Sequence, residues 1–319
     1  MSTRSGARDD FDLVGIGQCS IDHVCRVDGL PAIGGKAAML GYELQPGGQV
    51  ATAVLAAARL GLKTAYVGSV GSDAIADFVL APLAAAEVDL AGVRRVPGAT
   101  TRLAVILVDR ASGERTVLGH RDPRLCLTPE DVPEARIERA RCLLVDAEDP
   151  EASVTAARIA RRCGIPIVAD VDAPGPGVEA LLAAVDFPLV SRSFAETIAR
   201  DGTIRGGLDR LVKLGARMAV ATLGDLGCLA RIGDREVVAP AFAIAPRDTT
   251  GAGDVFHAAF AWGLLEGHSS ERLLRSSNAA AAIACLGFGA QGNLPTRAEL
   301  EAFLDARDPA PWRDPDLRD

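Results

Sequence analysis

Seven consecutive residues, Asp248-Thr249-Thr250-Gly251-Ala252-Gly253-Asp254, precede an apolar, helix-compatible run over 255–265. Two glycines permit a tight turn in which backbone N–H groups converge, and the helix that follows points the positive end of its dipole at the same place. Such a cradle suits an anion. Asp254 falls in the first helical turn and projects toward that spot. There a carboxylate that stays ionised at neutral pH can take the proton of a hydroxyl as its oxygen attacks phosphorus. An anion cradle and a base within one turn is the geometry that phosphoryl transfer needs. The plainer alternative, an Asp-capped helix after a glycine turn, stays open at this point.

Other nucleotide signatures do not compete. A P-loop needs GxxxxGK[ST], whereas Gly35-Lys36 is followed by Ala37 and position 30 is Leu30. Gly15-Ile16-Gly17-Gln18-Cys19-Ser20 lacks the third glycine of a dinucleotide fingerprint, and no helical pattern follows it.

The elements that must position these residues follow an α/β rhythm. Short apolar runs at 13–16, 64–67, 142–145, 166–169, 187–190 and 218–222 predict buried strands. Ala-rich periodic stretches at 50–60, 153–163 and 208–214 predict helices between them. The alternation implies a central, mostly parallel sheet with helices on both faces. Segments 23–48 and 100–121 break the rhythm. The second reads as a hairpin, 101–108 and 115–118 around a turn at 110–113. Both are expected to form a small β-sheet lid that covers a site and excludes water. The expected division is a tail at 1–10, a core of 11–22, 49–99 and 122–305, the lid at 23–48 and 100–121, and a second tail at 306–319.

In 319 residues, 34 Lys and Arg stand against 42 Asp and Glu, a net charge of −8 that argues against general nucleic-acid binding. A hydrophobic fraction of 49% supplies a core, and aromatic content of only 4% suits helices on a buried sheet better than a β-sandwich. The seven cysteines are scattered without a CxxC, so no zinc site is expected. The polar start predicts no signal peptide, and the apolar run at 279–288 is too short for a membrane span. A cytoplasmic location, with no membrane partner, is the expectation.

The segment Asp248 to Asp254 resembles the second signature of the ribokinase-like (PfkB) carbohydrate kinases at all seven positions, and the likeness extends in order over about residues 11–304. Asp22 resembles the family's sugar-binding Asp, and Gly47-Gly48 the GG of its first signature. Gly68, Gly71 and Asp73 fit a following G–G–D pattern, and Gly113-Glu114-Arg115 resembles the lid hairpin. Thr222-Leu223-Gly224 with Gly227 resembles the segment lining ATP, with Asn278 and Gly289 at the adenine end. The resemblance implies a three-layer α/β/α sandwich and an ATP-dependent kinase phosphorylating a primary hydroxyl of a small sugar. It makes Asp254 the general base, the N–H groups of Gly251, Ala252 and Gly253 the anion hole, and Asp22, Gly47 and Gly48 the holders of sugar hydroxyls. Ser191, Thr222, Gly224, Gly227, Thr250, Gly251, Gly253 and Asn278 are then ATP contacts. Mg²⁺ is expected through ATP and water, a monovalent cation such as K⁺ is left open, and a homodimer through the lid is implied.

Departures narrow the branch. Where the family has a sugar-touching Asn after the GG, this chain has Thr52. Where it has Asn-x-x-Glu, ordering Mg²⁺ and its waters, the preferred register gives Ser191 and Phe194, and a shifted one Ser193 and Glu196. Asp170 and Asp172, ending a strand at the same sheet edge, are candidates to help the metal instead. Gly47 to Ala53, Lys36 and Asp248 to His257 look most like sulfofructose kinases, with ketohexokinases next. Lys36 matches a sulfonate-facing lysine, but a lid Asn is Gly119 and an Arg is Glu148. Glu148 should repel an anionic sugar, which favours a neutral ketose. The alternative has Glu148 turned away, with Arg121 or Arg124 supplying positive charge. Other readings are a sulfofructose or sugar-phosphate kinase, a nucleoside kinase, and a non-catalytic sugar sensor. With Tyr42 the only aromatic of the two flap segments, a stacked nucleoside ranks lower. His257 reads as a packing residue that could approach substrate; Phe260 and Trp262 read as core, His23 as structural, and His120 is undecided.

Overall fold

The computed structural model describes residues 10–316; of the two expected tails, residues 1–9 and 317–319 lie outside the described residues. In chain order, β1 (Phe11–Ile16), β2 (Ser20–Val27) and β3 (Gly41–Gly47) lead into α1 (Gln49–Arg59), β4 (Thr64–Gly71) and α2 (Ala74–Ala85). Three strands follow, β5 (Asp89–Val96), β6 (Leu103–Asp109) and β7 (Arg115–His120). Next come α3 (Glu134–Ile137), β8 (Ala140–Asp146), α4 (Pro150–Arg162), β9 (Ile167–Val171) and α5 (Val178–Leu182). Then β10 (Phe187–Ser191), α6 (Arg192–Ile198) and α7 (Ile204–Lys213) precede β11 (Ala219–Thr222), β12 (Gly227–Ile232) and β13 (Arg235–Pro240). The chain closes with α8 (Ala252–Leu265), α9 (Ser270–Ala284) and α10 (Arg297–Ala306).

The main sheet runs β13-β12-β11-β10-β9-β8-β1-β4-β5, parallel except at β12 and β13. Helices cover both faces, so strand residues alternate between two cores. In β8, Leu143 and Val145 join α4, α5 and α7 through Ile159, Leu181 and Leu208. Cys142 and Leu144 join α1, α8 and α9 through Leu55, Phe260 and Leu273 on the other side. Burial on both faces is why such strands are continuous apolar runs.

A second sheet, β3-β2-β6-β7, pairs β2 parallel to β6 and is otherwise antiparallel. Its first strand begins at Ser20, so Asp22 belongs to the small sheet rather than to the end of β1. Asp73 fixes the sheet to the core: its carboxylate accepts the Ala76 N–H at the start of α2, and the Thr101 N–H and hydroxyl at 2.7 and 2.6 Å ahead of β6. The segment after α10 is anchored rather than loose. Asp314 and Asp316 both receive hydrogen bonds from Arg205 at the start of α7, at 2.8–3.0 Å.

Candidate active site

The strands of the parallel sheet end along one edge, where loops gather and where open α/β sheets place their ligands. Asp170 and Asp172 leave β9 there, Ser191 leaves β10 and Thr222 leaves β11. α8 begins above the same edge. Asp248, 1% exposed, builds its start: one carboxylate oxygen accepts the Thr250 N–H and the other the Gly289 N–H, each at 2.8 Å. Gly251 then turns at φ 77°, and a Cβ there would sit 2.6 Å from the Ala290 carbonyl. A side chain at 251 therefore fails on both conformation and space. Among the described residues, the N–H groups of Gly251 and Gly253 have no acceptor. Ala252 departs from the expected anion hole, since its N–H donates to the Thr249 carbonyl at 3.3 Å as part of the turn. The Thr250 hydroxyl is buried without a partner among the described residues.

Asp254 hangs from the first turn of α8, half-buried. Burial, together with Asp170, Asp22 and Asp172, pushes its pKa well above the usual carboxylate range, and Arg115 pulls the other way. Like charges thus converge on it from β2 and the end of β9. Burial also raises Asp22 to about 6, opposed by a 2.7 Å hydrogen bond from Ser20, and raises Asp170 to about 8 with help from Asp172. Asp146, 1% exposed at the end of β8, is raised to about 7 by burial and accepts the Gln18 N–H at 2.8 Å. His257 is 5% exposed with Nδ1 3.6 Å from Asp170, and burial lowers its pKa to about 4. It is a packed, neutral histidine beside the cluster.

Around Asp22 the two glycines have separate reasons. A Cβ on Gly47 would collide with the Asp22 carboxylate, while Gly48 takes φ 97° and a Cβ there would collide with the backbone of Gln18 and Cys19. Gln49 follows, bonding Asp172 at 3.2 Å and accepting from Gln18. Thr52 is not placed as expected: it is fully buried, and its hydroxyl accepts from Gln291 at 3.3 Å. Lys36 sits on the exposed connection between β2 and β3 and forms no ion pair among the described residues. Glu148 is not a free carboxylate. Arg102, leading into β6, holds it at 2.6 and 3.2 Å, and Arg121 lies 3.6 Å away while gripping Asp149 at 2.7 Å. Arg124 is paired with Asp122, and His120 is exposed on β7, where Gly119 also lies.

On the other flank, the Ser191 hydroxyl caps α6 by accepting the Phe194 N–H at 3.2 Å. Phe194 points into the core, and Glu196 is at the surface, paired with Arg192 at 3.0 Å. The helix start thus presents Ser191 and no acidic side chain from this turn. Thr222 donates to the Val190 carbonyl at 3.3 Å. Gly224 and Gly227 shape the turn beyond it with φ 61° and 100°, and Gly227 packs on the Ala239 carbonyl. Asn278 spends its amide donors on the carbonyls of Ala239 and Pro240, at 2.7 and 3.2 Å, tying α9 to the end of β13. Gly289, expected with it at the adenine end, donates its N–H to Asp248 and lies against Gln45 of the small sheet.

Sequence reasoning passed over three side chains. Arg102 carries no motif and is found only through its partner Glu148. Gln49 is marked only by following the GG pair. Arg115 was read as part of a hairpin, yet its guanidinium lies 3.5 Å from the Thr249 hydroxyl, and Thr249 in turn donates to the Gly113 carbonyl from both its N–H and its hydroxyl. The hairpin tip therefore rests on the anion loop. No described helix is long and apolar enough to cross a membrane, and no three described His, Cys, Asp or Glu side chains form a metal-holding group.

A mostly parallel sheet with a small second sheet, a bare N–H turn and an adjoining half-buried carboxylate are consistent with a carbohydrate kinase, the class that the family match shows. The chain belongs to the pfkB family of carbohydrate kinases, whose profile matches residues 10–297. It is 32% identical over 294 residues to the ribokinase of Bacillus subtilis, covering 91% of this chain and 98% of that one. It is 30% identical to the ATP-dependent ribose-1-phosphate kinase of Halopiger xanaduensis, covering 91% and 97%. The solved ribokinase of Thermotoga maritima superposes with a TM-score of 0.78 at 27% identity, over 92% of this chain and 99% of that one.

Proposed function

We propose that the protein transfers the γ-phosphoryl group of ATP to a primary hydroxyl of a small neutral sugar. The observation that carries this reading is Asp254 in the first turn of α8, beside the free N–H groups of Gly251 and Gly253 and feeling the charge of Asp22. Asp22 is a carboxylate able to accept two hydroxyls of a diol, walled by Gly47 and Gly48. Asp254 accepts the proton of the attacking hydroxyl; the new bond forms between that oxygen and the γ-phosphorus as the bond to the ADP oxygen breaks. The N–H groups of the α8 turn, with Arg115 close by, face the negative charge that develops. Thr250, Ser191, Thr222, Gly224 and Gly227 border the triphosphate and adenosine, and Asn278 holds the backbone behind them. Mg²⁺, when bound with ATP, would supply positive charge to the phosphates. Four carboxylates facing the site against few cations fit such an ion, and Asp170 and Asp172 would bind its waters.

The neutrality of the sugar is argued from two arginines that are already paired, Arg102 with Glu148 and Arg121 with Asp149, while Arg115 lies at the anion loop beside the Thr249 hydroxyl. The motifs favoured a ketose, and the relatives named for ribose bring that pentose beside it. The test is ADP release with Mg-ATP across ribose, fructose, tagatose, ribose 1-phosphate, sulfofructose, fructose 6-phosphate, a nucleoside and no sugar. Turnover on ribose or a ketose is expected. Preference for a phosphorylated or sulfonated sugar would overturn neutrality, and tight sugar binding without turnover would make the protein a sensor.

A further inference from the structure

The family match ends at residue 297, yet the chain completes α10 and then returns across the molecule. Arg275 of α9 donates to the carbonyls of Leu304 and Arg307, each at 3.2 Å. The Ala310 N–H donates to the Ala241 carbonyl at 2.7 Å. Trp312 packs against the apolar cluster that contains Phe194, Leu223 and Leu229. Arg313 pairs with Asp225 at 3.2 Å, and the buried Pro315 accepts from Arg192 at 3.2 Å. Asp314 and Asp316 finish on Arg205, which also grips Glu236 of β13 through both carboxylate oxygens.

This path joins the α9–α10 layer to the α6–α7 layer over the ends of β11 to β13. What it crosses is the backbone assigned above to the nucleotide. Arg192 follows Ser191, Asp225 lies inside the Gly224–Gly227 turn, and Ala241 follows the carbonyls held by Asn278. The turn closes on itself through the Leu223 N–H to the Gly227 carbonyl at 2.8 Å and the Leu226 N–H to the Leu223 carbonyl at 3.3 Å, and its far side is open. Gly224 has open space where a Cβ would stand, and a 3.3 Å bond from the Ala241 N–H to the Leu226 carbonyl joins the turn to the β13 end. A glycine-flanked turn carries high backbone freedom, and restraint from outside fixes the geometry it offers a ligand.

We propose that residues 310–316 form the outer wall of the nucleotide site and position the 222–227 turn against the 239–241 backbone. The inference rests on the placement of ATP at that turn. Arg205 is the fastening. Trp312 and Arg313 are positioning residues, and the Arg313–Asp225 pair is exposed enough to add little to stability.

ADP binding measured by calorimetry, with steady-state kinetics on the sugar found active, tests this. The variants are a chain ending at Ala306, Trp312→Ala, Arg313→Glu and, as a reference for the nucleotide placement, Thr222→Leu. The shortened chain and Trp312→Ala should weaken ADP and raise the KM for ATP by about fivefold or more, with the sugar KM and kcat at saturating ATP within about twofold. Arg313→Glu should move the same way by a smaller factor at unchanged Tm. If the shortened chain does not fold, the point variants decide. Unchanged ADP affinity in folded Trp312→Ala and Arg313→Glu, while Thr222→Leu weakens it, overturns the wall alone. Unchanged affinity in Thr222→Leu as well overturns the nucleotide placement, and the wall with it.

Discussion

A carboxylate that accepts a proton in a transition state gains from a raised proton affinity, and Asp254 acquires one from burial and from Asp170, Asp22 and Asp172. The sign of the pH dependence follows. Protonation removes the base, so kcat/KM should fall as pH drops, beginning above the ordinary carboxylate range. Because the four carboxylates interact, the limb belongs to the cluster. A rate that stays flat down to pH 5 would contradict this environment. Asp254→Asn keeps the shape and removes the base; kcat should drop about 10²- to 10⁴-fold with an unchanged circular dichroism spectrum, and near-normal turnover would dismiss the assignment. Asp254 was legible in the sequence because type and spacing alone suggest its chemistry, whereas Asp22 was legible only through the family resemblance. The fates of Thr52 and Asn278 were not. Each hydrogen bonds to a group distant in the chain, Gln291 for one and Ala239 for the other, and a one-dimensional pattern cannot register that.

At the level of elements, the glycines of the loops carry the site's shape. Gly251→Ala places a side chain at φ 77° against Ala290, so denaturant unfolding should show a loss of about 1–3 kcal/mol. Gly47→Ala instead pushes on the Asp22 carboxylate. It should raise the sugar KM severalfold while ADP affinity holds, and a change in ADP affinity alone would separate Gly47 from the sugar. The central strands were plain from sequence because two buried faces leave continuous apolar runs. Strands β5, β12 and β13 were missed. They sit toward the sheet edges, and β5 (DLAGVRRV) and β13 (REVVAP) mix charge with half-exposed positions. The expected tail after α10 is held by Arg205, an ion-pair cluster invisible until α7 and Asp314 are brought together.

For the molecule as a whole, the small sheet leaves Leu40, Tyr42, Leu44, Val117 and Leu118 exposed near its outer strands β3 and β7. Unpaired edges carrying apolar side chains need covering. A homodimer through this sheet is therefore our expectation, and light scattering should give twice the chain mass at micromolar concentration; a monomeric mass would refute it. Substituting Leu44→Glu and Leu118→Glu should then halve the mass.

The carbonyl of Gly113 accepts two hydrogen bonds from Thr249, so the tip of the β6–β7 hairpin and the loop proposed to receive the phosphate share one residue's position. Whatever moves the hairpin disturbs the loop. On the proposed placement of sugar and ATP, the two are expected to bind cooperatively, and the factor by which the sugar tightens ATP must then equal the factor by which ATP tightens the sugar.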